Sequence, residues 1–189
     1  DGLVLRHDYK DRPVEPVSTG AAYFDGTSDY ITMGDACDLG TADFSIAFWV
    51  YIHGASPNSQ YLIAKHEDAN NFWYIRTQGT ANIQFYSKVG GVSKMNHTHD
   101  ADLLVNNWYH VVFAADRSET GGVNVYVNGI PNAASNGSVS DLDNSSALHI
   151  AAQATANFGE VYMSNVGIWS AALTQPQIKS IMHKDYAAL

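Results

Sequence analysis

The chain has 189 residues, of which 46% are apolar, 12% aromatic and only 15% charged, a composition typical of one compact globular domain. Ten Lys and Arg stand against 19 Asp and Glu, and the resulting formal net charge of −9 disfavours binding to nucleic acid or an acidic bilayer. No apolar run approaches the about 20 residues needed to cross a bilayer, so we expect no membrane insertion. Cys37 is the single cysteine, which excludes a disulfide within these residues, and we expect it to be a small buried side chain.

Nothing in the sequence divides the chain into separate units. Because it contains no internal repeat, low-complexity linker or block of like charges, we predict a single domain over residues 1–189. Residues 1–19 are expected to form a leading strand followed by an irregular segment, since Pro13 and Pro16 interrupt any regular element there.

Short runs of alternating apolar and polar residues fill most of the chain, separated by clusters of Gly, Asn, Asp and Ser. The longest run is Phe44 to Ile52, in which every second residue suits a core. Its other face carries Ser45, Ala47, Trp49 and Tyr51, which is too apolar for open water and indicates partial cover or a binding surface. Other predicted strands are Leu3 to Leu5, Ala21 to Phe24, Tyr30 to Met33, Tyr61 to Ala64, Phe72 to Arg76, Ile83 to Tyr86, Trp108 to Ala115, Val123 to Val127, Leu148 to Ala151 and Glu160 to Trp169. We therefore predict an all-β fold, an antiparallel two-sheet sandwich.

One hairpin and one helix carry specific signals. Asn128 and Gly129 follow the run Val123 to Val127, and an Asn-Gly pair tolerates the positive φ angles of a type I′ turn. A short C-terminal helix is indicated by the capping box of Thr174 and Gln177. The apolar side chains that would form its buried face are Ile178, Ile181 and Met182.

Five segments follow one another in an order shared with a known family. They are Phe24-Asp25-Gly26-Thr27-Ser28-Asp29-Tyr30-Ile31, Phe44-Ser45-Ile46-Ala47-Phe48-Trp49-Val50, Asn107-Trp108-Tyr109-His110-Val111-Val112-Phe113, Val125-Tyr126-Val127-Asn128-Gly129, and Phe158 to Trp169 with Ala172-Leu173-Thr174 and Ile178. Together they resemble laminin-G-like, concanavalin A-like lectin/glucanase domains over residues 20–183. The resemblance implies a jelly-roll sandwich, and similar domains of phage structural proteins suggest a phage or viral source. It implies less about activity, since this fold carries lectins, adhesion modules, virion appendages and hydrolases.

Glycoside hydrolysis is disfavoured by the arrangement of the glutamates. Hydrolases of the resembled family carry a Glu-x-Asp-x-Glu motif, in which alternation sets a nucleophile and an acid/base on one face of a strand. The glutamates here are far apart in sequence, at Glu15, Glu67, Glu119 and Glu160. We predict that the protein is not an enzyme, and a hydrolase is the less favoured alternative.

An aromatic and polar segment at residues 70–86 is the candidate sugar site. Sugar binding needs an aromatic plane against the apolar face of a pyranose, with polar side chains to bond its hydroxyls. Alternation places Trp73 on one face and Tyr74 with Arg76 on the other, so one set must fill the core. The alternative is that all these aromatics pack between the sheets. The predicted ligand-binding residues are Trp73, Tyr74, Arg76, Asn82, Gln84 and Tyr86.

Four aspartates in a Gly-rich stretch are candidate ligands for a hard cation. Asp25, Asp29, Asp35 and Asp38 supply the carboxylate oxygens that Ca²⁺ prefers, although their spacing is not that of an EF-hand. The family resemblance implies a further ligand, Glu160, from the closing strand. We predict calcium as a cofactor held by Asp25, Asp29 and Glu160. The alternative is that Asp25 closes an Asx-type turn.

His97 and His99 form a second candidate metal pair. They would point the same way from an extended strand, an arrangement suited to a transition metal. A polar surface loop is the commoner outcome for such a segment, and both interpretations stay open.

The sequence as a whole favours a non-catalytic binding or adhesion module for carbohydrate on an extracellular or virion surface. Its partners would be a glycan or other surface ligand, and several copies in an oligomer would raise a weak affinity. The first alternative is a virion decoration or appendage protein that binds capsid or tail proteins. The second is the glycoside hydrolase.

Overall fold

Thirteen strands and one helix make up the fold, which a computed structural model describes over residues 3–7, 20–53, 59–79, 82–101 and 103–184. In chain order the elements are β1 Leu3–His7, β2 Ala22–Asp25, β3 Ile31–Thr32, β4 Phe44–Ile52, β5 Tyr61–His66, β6 Phe72–Gln78, β7 Asn82–Val89, β8 Val92–His99, β9 Trp108–Ala115, β10 Val123–Val127, β11 Ile130–Pro131, β12 Leu148–Ile150, β13 Glu160–Trp169 and the helix α1 Gln175–Ile181.

The strands form two sheets that pack face to face. The seven-stranded sheet has the order β1-β13-β4-β9-β10-β11, with β2 also paired to β13, and the six-stranded sheet has the order β3-β12-β5-β6-β7-β8. All of these pairings are antiparallel. The predicted all-β jelly-roll sandwich with a short C-terminal helix is therefore confirmed.

Several strands have the bounds that alternation predicts. Strands β4, β9, β10 and β13 begin and end at the predicted residues. Asn128 and Gly129 join β10 to β11 with φ angles of 51° and 74°, as a type I′ turn requires. The irregular segment predicted after the leading strand, at residues 8–19, lies outside the described residues.

Strand β8 was not predicted, because its polar residues are also typical of a loop. It pairs with β7 at the edge of the six-stranded sheet, after a turn at Gly90 and Gly91 with φ angles of 58° and 79°. Only Met95 and His97 of this strand are buried. An edge strand with one face toward solvent needs few apolar residues, which is why the hydrophobic pattern is weak here.

The core lies between the sheets and is filled by the inward side chains of both. The ring of Phe85, from the six-stranded sheet, stacks on Phe113 of the other sheet at a centroid distance of 3.9 Å. Trp73 lies nearly parallel to Phe85 at 6.2 Å. Burying a side chain of this kind contributes about 2–3 kcal/mol. Cys37 is buried as predicted, and burial raises the pKa of its thiol to about 11.

Helix α1 packs on the outer face of the seven-stranded sheet. Its residues Ile178 and Ile181 are buried in an apolar cluster with Ala47, Val112, Ala114, Tyr126, Trp169 and Leu173. The backbone N–H of Thr174 donates to Oε1 of Gln177 at 2.8 Å, as the predicted capping box requires. The helix contacts the sheet near the Phe44 end of β4, at Ala47. Toward the Ile52 end, Trp49 and Tyr51 on the same face are partly exposed.

A buried arginine fixes the loops at one end of the sandwich. Arg117 is only 3% exposed. Its guanidinium donates to four backbone carbonyls, those of Gly40, Ala42, Ser138 and Ser140. The guanidinium of Arg117 therefore binds the protein's own backbone and holds these loops together.

Burial lowers the pKa of three described histidines, His97, His110 and His149, and the first two have the large shifts. His97 is 9% exposed and His110 is fully buried. Desolvation lowers the pKa of each imidazole from its ordinary value of 6.5 to about 4. The hydroxyl of Ser135 contacts Nδ1 of His97, and the ring of Trp49 lies 5.3 Å from that of His110.

We expect the free energy of unfolding to decrease as the pH falls from 6.5 to about 4, because the unfolded histidines take up protons that the folded protein does not. Their contribution is complete above pH 6.5 and is fully lost below the folded pKa of about 4. The decrease is at most about 3.5 kcal/mol per histidine, since one pKa unit corresponds to about 1.4 kcal/mol. Urea denaturation across this pH range measures it.

The double variant His97→Gln with His110→Gln removes both titrating groups. Its stability should change less with pH over the same interval, whatever the substitutions do to stability at neutral pH. An equal dependence on pH in the variant and the wild type would contradict this assignment.

Candidate functional site

Five of the six predicted ligand-binding residues lie together on the outer face of the six-stranded sheet. Directly opposed residues of antiparallel strands share a face, and the residues between them, such as Ile75, belong to the core. The five residues that the pairing of β6 with β7 brings to the outer face are Tyr74, Arg76, Asn82, Gln84 and Tyr86.

Trp73 is the exception, and the prediction that it binds ligand is wrong. Its side chain is fully buried in the core, nearly parallel to the ring of Phe85. Because Trp73 and Tyr74 are adjacent on β6, only one of them faces outward. The core holds the indole, and the phenol lies on the outer face.

The outer face of β6 to β8 combines packed rings with polar groups. Phe72 and Tyr74 are parallel, with centroids 5.2 Å apart, and are only 7% and 5% exposed. Nε of Arg76 donates to Oε1 of Gln84 at 2.9 Å, and Nε2 of Gln84 donates to Oδ1 of Asn96 at 2.8 Å. The rings of Phe72 and Tyr74 are buried, so a ligand on this surface would contact mainly hydrogen-bonding groups. We name it the basic face, which comprises Tyr61, Phe72, Tyr74, Arg76, Asn82, Gln84, Tyr86, Lys88 and Asn96.

A second surface, on the seven-stranded sheet, presents open rings. Tyr23, Tyr162, Tyr51 and Trp108 are directly opposed in the pairings of β2, β13, β4 and β9, so they form one line across four strands. Centroids of successive rings lie 4.6, 5.4 and 5.6 Å apart. With strands about 4.8 Å apart, the line is about 14 Å long. We name these four residues the aromatic row.

Every ring of the aromatic row is partly exposed, and polar groups lie beside it. Nδ1 of His53 lies 2.8 Å from Oε1 of Glu160, and the His53 ring is 5.8 Å from that of Tyr23. Further along, the hydroxyl of Tyr51 lies 3.5 Å from Oδ1 of Asn106. The row is therefore an open aromatic strip bordered by hydrogen-bonding groups.

The aromatic row is missing from the predicted site residues, although the sequence contains a signal for it. The outer face of β4, with Ala47, Trp49 and Tyr51, is predicted to be covered or to bind a ligand. Helix α1 covers Ala47, and Tyr51 lies in the row. The signal identifies one ring, whereas the other three come from strands whose register the sequence does not specify.

The carboxylate of Asp25 closes a turn. Its Oδ1 accepts hydrogen bonds from the backbone N–H groups of Ser28 and Thr27, both at 2.8 Å, and of Asp29 at 3.0 Å. These bonds, with that from Ser28 the strongest influence, lower the pKa of Asp25 to about 2. The arrangement is the Asx-type turn. A carboxylate that stays ionised at neutral pH cannot serve as the proton donor of a glycosidase pair.

The residues predicted to bind calcium are neighbours, and the carboxylates of Asp25 and Glu160 have other partners. Glu160 lies opposite Asp25 in the pairing of β13 with β2, and its carboxylate contacts His53. Within the described ranges, no group of three or more His, Cys, Asp or Glu side chains is placed to hold a metal ion. In this conformation the residues do not fit a calcium site, and calcium at Asp25, Asp29 and Glu160 stays a prediction.

The histidine pair of β8 is extended, but its two rings contact different groups. His97 contacts the hydroxyl of Ser135, and Nε2 of His99 lies 3.2 Å from the carbonyl oxygen of Ile130. The part of the chain that is described gives the two rings no third metal-binding side chain.

Lys65 lies between the other two candidate aspartates. Its Nζ donates to Oδ1 of Asp35 at 2.7 Å, to the carboxylate of Asp38 and to the carbonyl of Ala36 at 3.3 Å. The lysine side chain is fully buried, whereas those of Asp35 and Asp38 are 54% and 52% exposed. Burial opposes the charge, but these hydrogen bonds and carboxylates outweigh it and raise the pKa of Lys65. The cation held by these aspartates is therefore the ammonium group of the protein itself.

The sequence matches the family model described as the concanavalin A-like lectin/glucanases superfamily over residues 25–179. No curated protein matches the sequence. Among the described residues, no helix is long and apolar enough to cross a membrane.

Several solved structures share the fold. Domain 4 of AbnA, a GH43 extracellular arabinanase from Geobacillus stearothermophilus solved with arabinotriose, is 18% identical, with a TM-score of 0.66 over 96% of this chain and 82% of that one. The binding domain of botulinum neurotoxin serotype D is 16% identical, with a TM-score of 0.71 over 94% of this chain but only 46% of that one. A heptameric SAP-like pentraxin from Limulus polyphemus is 16% identical, with a TM-score of 0.60 over 85% and 80%. This chain thus spans about half of the neurotoxin domain, and at such identities the likeness establishes the fold alone.

Removing the two aspartates should destabilise the protein more than removing the lysine. Asp35→Ala with Asp38→Ala leaves a buried ammonium group without its carboxylates, at a typical cost of about 3–5 kcal/mol. Lys65→Met keeps the buried volume and leaves two carboxylates that reach water, so we expect a loss of about 1–2 kcal/mol. Urea denaturation of both variants measures this, and the reverse order would contradict the account.

Calcium should leave the melting temperature of the protein unchanged after treatment with a chelator, because Oδ1 of Asp25 already accepts three backbone hydrogen bonds. Differential scanning fluorimetry with and without Ca²⁺ tests this, with Asp25→Asn as the comparison variant. A calcium-dependent rise that Asp25→Asn abolishes would instead establish the predicted calcium site.

Proposed function

The chain belongs to the concanavalin A-like lectin/glucanases superfamily, and on this premise we propose that it is a non-catalytic carbohydrate-binding module whose aromatic row packs against sugar rings. The single observation that carries the proposal is the line of four partly exposed rings across the seven-stranded sheet. Contiguous apolar surface rimmed by polar groups is typical of an interaction site.

The physical basis of binding is the two-sided chemistry of a sugar ring. The axial C–H groups of a pyranose are apolar and pack on an aromatic face, whereas its hydroxyls need hydrogen-bond partners. The row supplies the rings, and Glu160, His53 and Asn106 supply acceptors and donors at its border. A length of about 14 Å accommodates more than one sugar unit, so an oligosaccharide would lie across the strands.

The structural neighbours support saccharides as the first ligand class to test. The arabinanase domain is described in complex with arabinotriose, and the neurotoxin neighbours are described as binding domains. At identities of 16–18%, these structures establish only a shared fold, so the ligand of this chain is our proposal.

Absence of catalysis is the second part of the proposal. The chain lacks the Glu-x-Asp-x-Glu motif of the family's hydrolases. Asp25 and Glu160 lie opposite each other, but the pKa of Asp25 is about 2, so Asp25 is ionised at neutral pH and cannot act as the proton donor of a glycosidase pair. We infer an extracellular or virion-surface location, where several copies raise a weak affinity for a glycan.

Truncating the aromatic row should weaken saccharide binding. We expect Trp108→Ala and Tyr162→Ala each to lower the affinity for a neutral oligosaccharide about three- to tenfold, since one aromatic contact is worth about 0.5–1.5 kcal/mol. A glycan array identifies the ligand, and isothermal titration calorimetry then measures the affinity of each variant.

Tyr86→Ala is the matched control, because Tyr86 is a partly exposed tyrosine on the opposite sheet. It should leave binding of a neutral oligosaccharide unchanged. An array without any bound saccharide would overturn the proposed function, and so would a loss in Tyr86→Ala that equals the loss in the row variants.

A further inference from the structure

The basic face carries a local excess of positive charge in an acidic protein. Strands β6, β7 and β8 contain Arg76, Lys88 and Lys94 but no Asp or Glu, although the whole chain has 10 basic and 19 acidic residues. One carboxylate contacts this face from outside the three strands, since Nδ2 of Asn82 donates to Oδ1 of Asp100 at 3.2 Å. Such an inversion of the overall charge within three neighbouring strands favours an anion as ligand.

The charge of Arg76 is held in place without an anion. Its Nε donates to Gln84 at 2.9 Å and its Nη1 donates to the hydroxyl of Tyr61 at 3.3 Å. The guanidinium carbon lies 5.0 Å from the ring centroid of Tyr74 and 5.7 Å from that of Tyr61. The ion pairs found among the described residues are those of Lys65 and His53, so no described carboxylate forms an ion pair with Arg76.

The two buried cations among the described residues, Lys65 and Arg117, have different partners from Arg76. Lys65 is neutralised by Asp35 and Asp38, and Arg117 is surrounded by backbone carbonyls. Arg76 is instead only partly buried and fixed by neutral groups, which orient its plane and leave its charge uncompensated. A planar guanidinium fixed in this way is complementary to a carboxylate or sulfate, which it can bind through two parallel hydrogen bonds.

Neighbouring groups favour a saccharide that carries the anion over an isolated ion. Asn96 is exposed and is linked to Arg76 through Gln84, and Tyr86 is partly exposed on the same face. An amide and a phenol are the partners that sugar hydroxyls require. Nζ of Lys88 lies 5.8 Å from the ring centroid of Phe72, so a second cation lies on this face.

We propose that the basic face binds an acidic saccharide, one bearing a carboxylate or sulfate group, through Arg76 with Lys88 as a second cation. This inference rests on the proposed function only in taking saccharide as the ligand class. It uses the sheet opposite the aromatic row, so the two surfaces would select different sugars.

Affinity electrophoresis and calorimetry with defined polymers test the proposal on the whole protein. Polygalacturonate is compared with its fully methyl-esterified form, and dextran sulfate with dextran, so each pair differs in the anion alone. We expect the wild type to prefer an acidic polymer to its neutral partner, and added salt to weaken that binding. Which pair shows the preference distinguishes carboxylate from sulfate.

Substitutions then locate the site. Arg76→Gln should reduce affinity for the acidic polymer about tenfold or more, since a hydrogen bond to a charged group is worth about 1.5–3 kcal/mol. Arg76→Lys keeps the charge but loses the planar fork, so it should restore binding only in part. Lys179→Gln, on helix α1, changes the net charge equally and should have no effect.

Several results would overturn the proposal. These are equal binding of acidic and neutral polymers, an equal loss in Lys179→Gln and Arg76→Gln, and equal binding of an oligonucleotide of matched charge, which would indicate a general polyanion surface. Failure of the proposed function is separable: it would remove binding of neutral oligosaccharides and its sensitivity to Trp108→Ala, while binding of acidic polymers through Arg76 would persist.

Discussion

The two-residue repeat of the antiparallel strand is the constraint on which the rest of the structure depends. Each strand sends alternate side chains to opposite sides, and only one side can face the other sheet. In β4 the inner set, including Phe44 and Phe48, fills the core, so the outer set needs another role. Helix α1 covers Ala47, and Tyr51 becomes part of the aromatic row. The same rule buries Trp73 and places Arg76 on the basic face.

Internal cations organise several loops of the protein. Lys65 holds the segment with Asp35, Ala36 and Asp38. Arg117 binds carbonyls of two loops, one that precedes it in the chain, at Gly40, and one that follows it, at Ser138. Other loop carboxylates also accept hydrogen bonds from the protein itself, among them those of Asp43, Asp68 and Asp143. Asp25 shows the same principle, because backbone N–H groups occupy its Oδ1. These acidic loops are thus held in part by hydrogen bonds and ion pairs within the protein.

Alternation and capping signals predict much of the fold, and the failures have identifiable causes. The bounds of four strands and the Asn128-Gly129 turn follow from local chemistry alone. Strand β8 is not predicted from the sequence, because it is stabilised by pairing with β7 and has few apolar residues of its own. For the sugar site, alternation separates Trp73 from Tyr74 but does not say which side is the core. The aromatic row depends on the register of four strands that are distant in sequence, and the contacts of Lys65 depend on a loop 30 residues away.

Binding of a saccharide to the aromatic row can be observed directly through individual tryptophan side chains. Trp108 belongs to the row, whereas Trp73 is fully buried in the core and Trp169 is 5% exposed beneath helix α1. NMR of protein labelled with ¹⁵N at tryptophan follows each indole N–H during titration with the neutral oligosaccharide selected on the array. We expect a saturable shift of the Trp108 signal, with those of Trp73 and Trp169 unchanged. Saturable binding that leaves the Trp108 signal in place would contradict this expectation.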